Sequence, residues 1–292
     1  MLNYQTGQGY FDVNVMTYNI SWEAMEGKRI KNIDLGPICL KQQENICLNN
    51  IAQFIIHFDN LLSFDFIGLQ EASKWENIYQ KIRAQIPHLQ PINHGLSREQ
   101  QVVFFDSRKY QPQNGVWAIK SYLADPGRPF MIIFLRNILT DNNICIINMH
   151  PGHQRDFLRF EEHLKETLKG NKPNSVYLME FNIVEQFPAP HEITTQILTK
   201  LHTNNIIMMG DMNFNPSSPY VFLPSLLDGG RSRILHGVSN SYTCCDSQLQ
   251  GNANKAYDHI LSSSSQIHHY VTPIQNASDH LPVIAQINLE IC

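Results

Sequence analysis

Six apolar stretches of this chain each run into residues that can hold a cation or move a proton. The segment TYNI contains Asn19, FIGLQE ends in Glu71, and INMH ends in His150. MMGDMN carries Asp211 and Asn213, AYDHIL carries Asp258 and His259, and NASDHLPV carries Asp279 and His280. A carboxylate next to a core needs a partner, because desolvating a lone charge is costly. Carboxylate and amide oxygens suit a hard cation such as Mg²⁺, which prefers oxygen ligands and keeps several waters. A histidine paired with an aspartate suits orientation and proton transfer. Taken singly, each residue has an ordinary reading. An Asp after Gly is a turn residue, a Glu at a strand end is a rim charge, and a lone His is a satisfied core histidine. Six such strand ends in order describe one cleft suited to phosphoryl chemistry.

The elements that must position these residues are legible from periodicity. Strands are expected at 12–20, 64–69, 102–105, 131–136, 143–149, 206–209, 256–262 and 283–289. Helical apolar spacing marks 42–62, through Ile46, Ile51, Phe54, Ile55, Phe58 and Leu62. Further helices are expected at 74–86, stopping before Pro87, and at 156–168 and 192–202. The stretch 169–190 holds three prolines and Gly170 and reads as a loop or insertion. Gly210 is expected to turn the backbone at the end of the strand 206–209. Residue alternation turns His259 to the face opposite Asp258, so His259 reads as structural. No internal repeat or linker divides the chain, so a single α/β domain over 1–292 is expected.

Composition narrows the function classes. With 292 residues, 42% hydrophobic and 16% charged, the chain can bury an ordinary core. A formal charge of −4 excludes a strongly basic nucleic-acid footprint over the whole chain, though not a local basic groove. The N-terminus lacks the basic start and apolar run of a secretory signal. No apolar stretch approaches the roughly 18 residues of a membrane span. The six cysteines lack metal-finger spacing, and the adjacent Cys244 and Cys245 suit neither an ordinary disulfide nor a CxxC site. A reduced, intracellular, cytoplasmic protein is the expectation.

The ordered set TYN, LQE, NxH, GDMN, YDHI and SDHLPV resembles the motifs of the endonuclease/exonuclease/phosphatase superfamily, over roughly residue 12 to the C-terminus. FDFIGLQE and QVVFFDSRKYQ also resemble strands of that superfamily. The resemblance implies a four-layer α/β sandwich of two packed mixed β-sheets flanked by helices. It implies metal-assisted hydrolysis of a phosphoester, with Mg²⁺ as cofactor and Mn²⁺ as an alternative. Carried over motif by motif, Glu71 is the main metal ligand, with Asn19 beside it, acting through the metal or a substrate oxygen, and Asp279 completing the metal environment. Asp211 orients or deprotonates the attacking water, and Asn213 fixes Asp211. His150 donates to developing charge, and His280 pairs with Asp258 at the phosphate. The resemblance leaves open whether Asp211 or His280 takes the proton.

Substrate choice is less legible. GDMNFNPSSPYVFL resembles nocturnin-like and deadenylase-like members, while the absence of an Arg soon after Asn213 counts against the inositol 5-phosphatases. A nucleic acid or nucleotide phosphodiester is the expected substrate. A phosphomonoester of a small molecule or lipid headgroup is the alternative, and a catalytically inactive binding module a third. Loops enlarged near 22–40 and 169–190 are expected to set specificity. His153 and Arg155 are candidates for a second phosphate or a plain polar turn. Trp22, Phe214 and Tyr242 are candidates for base stacking or for packing.

Overall fold

In the computed structural model the described residues are 9–22, 44–94, 99–122, 128–152, 177–181, 197, 199–201, 204–213, 220–223, 233–237, 241–244, 255–272 and 278–291. Their strands form two mixed sheets. The first sheet contains β1 (Tyr10–Asn19), β2 (Phe66–Gln70), β3 (Leu89–Asn93), β4 (Val102–Asp106), β14 (Ile267–Val271) and β15 (Val283–Glu290), in the order β14-β15-β1-β2-β4-β3. The second contains β6 (Gly115–Tyr122), β7 (Pro129–Asn137), β8 (Asn143–Met149), β9 (Tyr177–Phe181), β10 (Asn205–Asp211), β11 (Tyr220–Leu223), β12 (Arg233–His236) and β13 (Asp258–Ser262), in the order β11-β12-β13-β10-β8-β7-β6-β9. The short strand β5 (Tyr110–Pro112) pairs with β7. Only β1–β2 and β10–β8 are parallel among these pairs.

Two-residue alternation explains why the sheets stack. Val13 and Val15 of β1, Phe66 of β2, Ile144 and Ile146 of β8, and Ile207 and Met209 of β10 meet in one apolar cluster between the sheets. The intervening residues face outward. Ile67 and Leu69 pack beneath helices α1 (Glu44–Leu62) and α2 (Trp75–Ile82). Cys145, Ile147, Ile206 and Met208 pack with Ile197 and Leu201 of a helical segment on the far side. The layers are therefore helix, sheet, sheet, helix. Burying each of these large side chains contributes about 1.5–3 kcal/mol, so reversing either face of β2 or β8 is strongly disfavoured.

Glycine marks the closest approach of the two sheets. A Cβ on Gly68 would sit 2.6 Å from Sδ of Met209 and 3.1 Å from Oδ1 of Asn148. The opposite end of β2 is closed by Asp65. Its Oδ2 accepts from Asn14 N at 2.8 Å, and its Oδ1 accepts from Lys109 Nζ at 2.9 Å and Tyr110 OH at 3.0 Å. A buried carboxylate with three donors is a satisfied structural clasp.

Several expectations need correction. The stretch 169–190 contains strand β9, which pairs with β6 on one edge of its sheet. Gly210 lies inside β10 rather than in a turn after it. Its φ is +146°, and a Cβ there would lie 1.9 Å from the Met149 carbonyl oxygen on the parallel neighbour. The helix expected at 74–86 is confined to Trp75–Ile82. Cys47 and Cys244 are disulfide-bonded and Cys145 is a buried free thiol, so the cysteines are not all reduced. The helix expected at 156–168, most of the loop near 22–40, and His153, Arg155 and Phe214 lie outside the described residues.

Candidate active site

The inter-sheet faces turn polar toward one end. β1 places Thr17 and then Asn19 on its inner face, β2 places Gln70, and β8 places Asn148 followed by His150. Asp211 closes β10 and stands opposite Asp258 of β13 in antiparallel register. The alternation that builds the apolar core thus carries all these side chains into one cleft. Asn19, His150, Asp211, Asp258 and His280 are buried, and Glu71 and Asp279 are partly exposed at its rim.

Asn19 holds the two sheets' carboxylates together. Its Nδ2 donates to Oε1 of Glu71 at 3.1 Å and to Oδ2 of Asp211 at 3.0 Å. Its Oδ1 accepts from the backbone N–H of Ser21 at 3.0 Å, so here it offers the site donors rather than an oxygen. Glu71 sits just past β2 with φ of +54°, and its Oε2 accepts from Trp22 N at 3.1 Å. A non-glycine residue in the left-handed region costs energy and persists where the surroundings impose it, a pattern that clusters at functional sites. Asn213 shares that conformation, with φ of +54°. Its N–H donates to Oδ1 of Asp211 at 2.9 Å and its Nδ2 to the Pro151 carbonyl at 2.9 Å.

Two histidines flank Asp211. Nε2 of His150 lies 3.4 Å from Oδ2 of Asp211 and 3.6 Å from Oε1 of Glu71. Nε2 of His280 lies 3.6 Å from the same Asp211 oxygen, and its Nδ1 donates to Oδ2 of Asp258 at 2.8 Å. Thr243 Oγ1 accepts from the N–H groups of Asp258 and Tyr257 at 3.0 and 3.2 Å and so seats the aspartate. Ser278 bridges the segment before β15 to β1, donating to the Asn19 carbonyl at 2.7 Å and accepting from His280 N at 3.2 Å.

The electrostatics follow from these contacts. Burial disfavours charge on Asp211, but His280, His150 and the Asn19 amide outweigh it and hold the carboxyl well below its usual range. Burial also opposes charge on His280, yet the charges of Asp258, Asp211 and Asp279 raise its proton affinity well above the ordinary value. His150 is raised less: burial and Arg128 oppose its charge, while Asp211 and Glu71 favour it. Asp258 is pushed up to about 6, chiefly by burial and by the Asp211 charge, against the pull of His280. Both shifts favour a proton on the Asp258–His280 hydrogen bond.

The structure adds Arg128 and Glu99. Nη1 of Arg128 lies 2.8 Å from Nε2 of His150 and 3.3 Å from Oε2 of Glu99, which lies 3.6 Å from Nδ1 of His150. Neither residue sits at a strand-end motif, so no local pattern marks them. His259 faces away from the cleft and its Nε2 bonds the Ala256 carbonyl at 2.8 Å. Tyr242 is exposed, and Trp22 is partly buried with its backbone on Glu71.

No family model matches the chain. L684, an uncharacterised protein of Acanthamoeba polyphaga mimivirus, is 29% identical over 284 residues, which is 95% of this chain and 51% of that protein. The chain thus spans about half the length of this relative. Among solved structures, an endonuclease/exonuclease/phosphatase family protein from Bacteroides thetaiotaomicron superposes with a TM-score of 0.59 at 13% identity, covering 96% of this chain and 99% of the other. The chain has the endonuclease/exonuclease/phosphatase fold. Two further structures with this fold are ANGEL2, a 2′,3′-cyclic phosphatase in complex with adenosine-2′,3′-vanadate, and D. rerio TDP2 complexed with a single-strand DNA product. ANGEL2 has a TM-score of 0.58 and 16% identity, covering 97% of this chain and 98% of its own. TDP2 has a TM-score of 0.54 and 10% identity, covering 94% and 98%.

The residues gathered at the end of this fold fit a divalent cation. Among the described residues, Glu71 meets Asn19, Trp22 N and His150 but no lysine or arginine. Asp279 is raised by burial, and the charges of Glu71 and Asp211 raise it further against the pull of His280. Carboxylates that repel one another in this way form an oxygen-rich site suited to a hard cation. Ligating atoms of Asp211, Asp258 and His280 also lie within 4.8 Å of one another. Nδ1 of His280 is already occupied by its hydrogen bond to Asp258.

Proposed function

We propose that this chain is a divalent-cation-dependent phosphoester hydrolase, a phosphodiesterase acting on nucleic acid or a nucleotide. The observation that carries this reading is the convergence on one Asp211 oxygen of Asn19 at 3.0 Å, His150 at 3.4 Å and His280 at 3.6 Å. Glu71, Asp211 and Asp279 would hold Mg²⁺ or Mn²⁺, which supplies charge neutralisation and substrate orientation when bound. Asn19 fixes the directions of Glu71 and Asp211. Asp211, ionised and held by Asn19 and the Asn213 N–H, aligns the attacking water. Its depressed proton affinity makes it an aligning group first and a base second. His280, protonated and held by Asp258, stabilises charge that builds on the phosphoryl oxygens or departing group. His150 flanks Asp211 from the opposite side, with Nη1 of Arg128 at 2.8 Å from its Nε2. Donors fixed on strands need little reorganisation during reaction.

The adenosine-2′,3′-vanadate of ANGEL2 and the single-strand DNA of TDP2 support a nucleic-acid or nucleotide substrate. No helix among the described residues is long and apolar enough to cross a membrane. The test is a substrate panel in Mg²⁺ comparing single-stranded DNA, RNA, abasic DNA, 5′-tyrosyl DNA, dinucleotides, phosphoinositides and sphingomyelin. Hydrolysis of a nucleic-acid or dinucleotide substrate is expected. Turnover confined to phosphoinositides or to sphingomyelin would overturn the substrate assignment.

A further inference from the structure

Immediately beneath the site lies a polar layer that the proposed chemistry does not use. Nε2 of Gln70, in the first sheet, donates to Oδ1 of Asn148, in the second, at 2.7 Å. Gln70 also exchanges hydrogen bonds with the Thr17 hydroxyl, Nε2 to Oγ1 at 3.0 Å and Oγ1 to Oε1 at 3.3 Å. Nδ2 of Asn148 reaches back to the Leu69 and Val102 carbonyls of the first sheet at 3.2 and 3.4 Å. All three side chains are 0% exposed. Two further tethers cross near the same end, Gln101 Nε2 to the Pro129 carbonyl at 2.7 Å and His94 Nε2 to the Ser121 carbonyl at 2.8 Å.

Such a layer is not what packing alone favours. Deeper between the sheets Val13, Val15, Phe66, Ile144, Ile146 and Ile207 form an apolar cluster, and buried amides contribute little net stability over apolar groups of the same shape. What the amides add is direction, since a hydrogen bond fixes distance and angle where apolar contact permits sliding. The chain positions are telling. Gln70 directly precedes Glu71, and Asn148 lies two residues before His150 on the same face of β8.

We propose that Gln70 and Asn148 are positioning residues whose cross-sheet hydrogen bond, braced by Thr17, sets the separation of Glu71 from His150 and Asp211. This rests on the proposed role of Glu71 as a cation ligand. The bond ties the strand that delivers Glu71 to the strand that delivers His150, with β10 and Asp211 beside it. Gly68 lets the sheets approach closely enough for the amides to meet, since its missing side chain leaves room for Met209 and Oδ1 of Asn148.

The test is Mn²⁺ titration of the full chain by calorimetry, with melting temperature, kcat and KM measured alongside. Gln70→Leu strands both Oδ1 of Asn148 and the Thr17 hydroxyl, so this single variant melts lower than the double variant with Asn148→Leu, in which of these two only the Thr17 hydroxyl is stranded. In the double variant Mn²⁺ binding weakens about tenfold or more and kcat falls about as far, with KM nearly unchanged. A double variant that binds Mn²⁺ and turns over as the unsubstituted chain does would overturn the inference and leave the proposed function standing. If the double variant does not fold, Thr17→Val is read instead: a smaller shift of the same sign is expected, and unchanged Mn²⁺ affinity overturns the inference. An unsubstituted chain that binds no Mn²⁺ would contradict the proposed function itself, and this inference with it.

Discussion

Nδ1 of His280 donates to Oδ2 of Asp258 at 2.8 Å, across 22 positions of sequence and with Asp258 fully buried. The bond fixes the ring and leaves Nε2 facing Sγ of Cys244 at 3.4 Å and Oδ2 of Asp211 at 3.6 Å. Replacing Asp258 by Asn keeps the shape and removes the charge that raises His280. We expect kcat to fall by about 10²-fold or more, with the melting temperature little changed. Full activity in D258N would show that the pair is structural.

Gly210 is required by geometry rather than by flexibility. Its φ of +146° and the 1.9 Å approach of the Met149 carbonyl to an added Cβ leave no room for alanine. Gly210→Ala should therefore cost at least about 3 kcal/mol, read as a fall in denaturant midpoint. A wild-type midpoint would mean that β8 and β10 do not approach as described.

His94 gives a stability prediction away from the catalytic cluster. Burial lowers its pKa from 6.5 to about 4, opposed by its bond to the Ser121 carbonyl and aided by the charge of Lys120. The unfolded chain therefore binds more protons between these values, so stability falls as pH drops from about 6.5 toward 4. The loss reaches about 3 kcal/mol at most, from roughly 1.4 kcal/mol per pKa unit. His94→Gln can keep a donor to Ser121 and should flatten this part of the pH–stability curve. An unchanged slope would assign the acid sensitivity elsewhere.

Chelation tests the carboxylate site. Hydrolysis should vanish in EDTA and return on adding Mg²⁺ or Mn²⁺. Glu71→Gln should raise the concentration of cation needed by about tenfold or more. Activity that persists in EDTA would remove the cation from the account.

Much of the site was legible because strand alternation and strand ends are local properties. The strand expected at 143–149 matches β8 residue for residue. The alternation that turned His259 away from Asp258 is the same rule that puts Ile260 into the core. What escaped sequence reading lies mainly at edges and in long-range pairs. Strand β3 contains Pro91, tolerated because β3 ends its sheet and one side needs no ladder bond. Strand β14, IHHYV, is another edge with partly exposed residues and little apolar signal. Arg128 and Glu99 reach His150 from 22 and 51 positions away, a juxtaposition created only by the fold. Gln70 and Asn148 stand inside the LQE and NxH motifs, yet that they bond each other is visible only once the sheets are stacked.

The central claim is that Asp211 organises hydrolysis at the end of the sandwich, and Asp211→Asn tests it most directly. The variant keeps the volume and hydrogen-bonding capacity but removes the charge that His150 and His280 face. With Mg²⁺ and the best phosphodiester of the substrate panel, kcat should fall by about 10²-fold or more at similar thermal stability. Turnover by D211N equal to that of the unsubstituted chain would contradict the account.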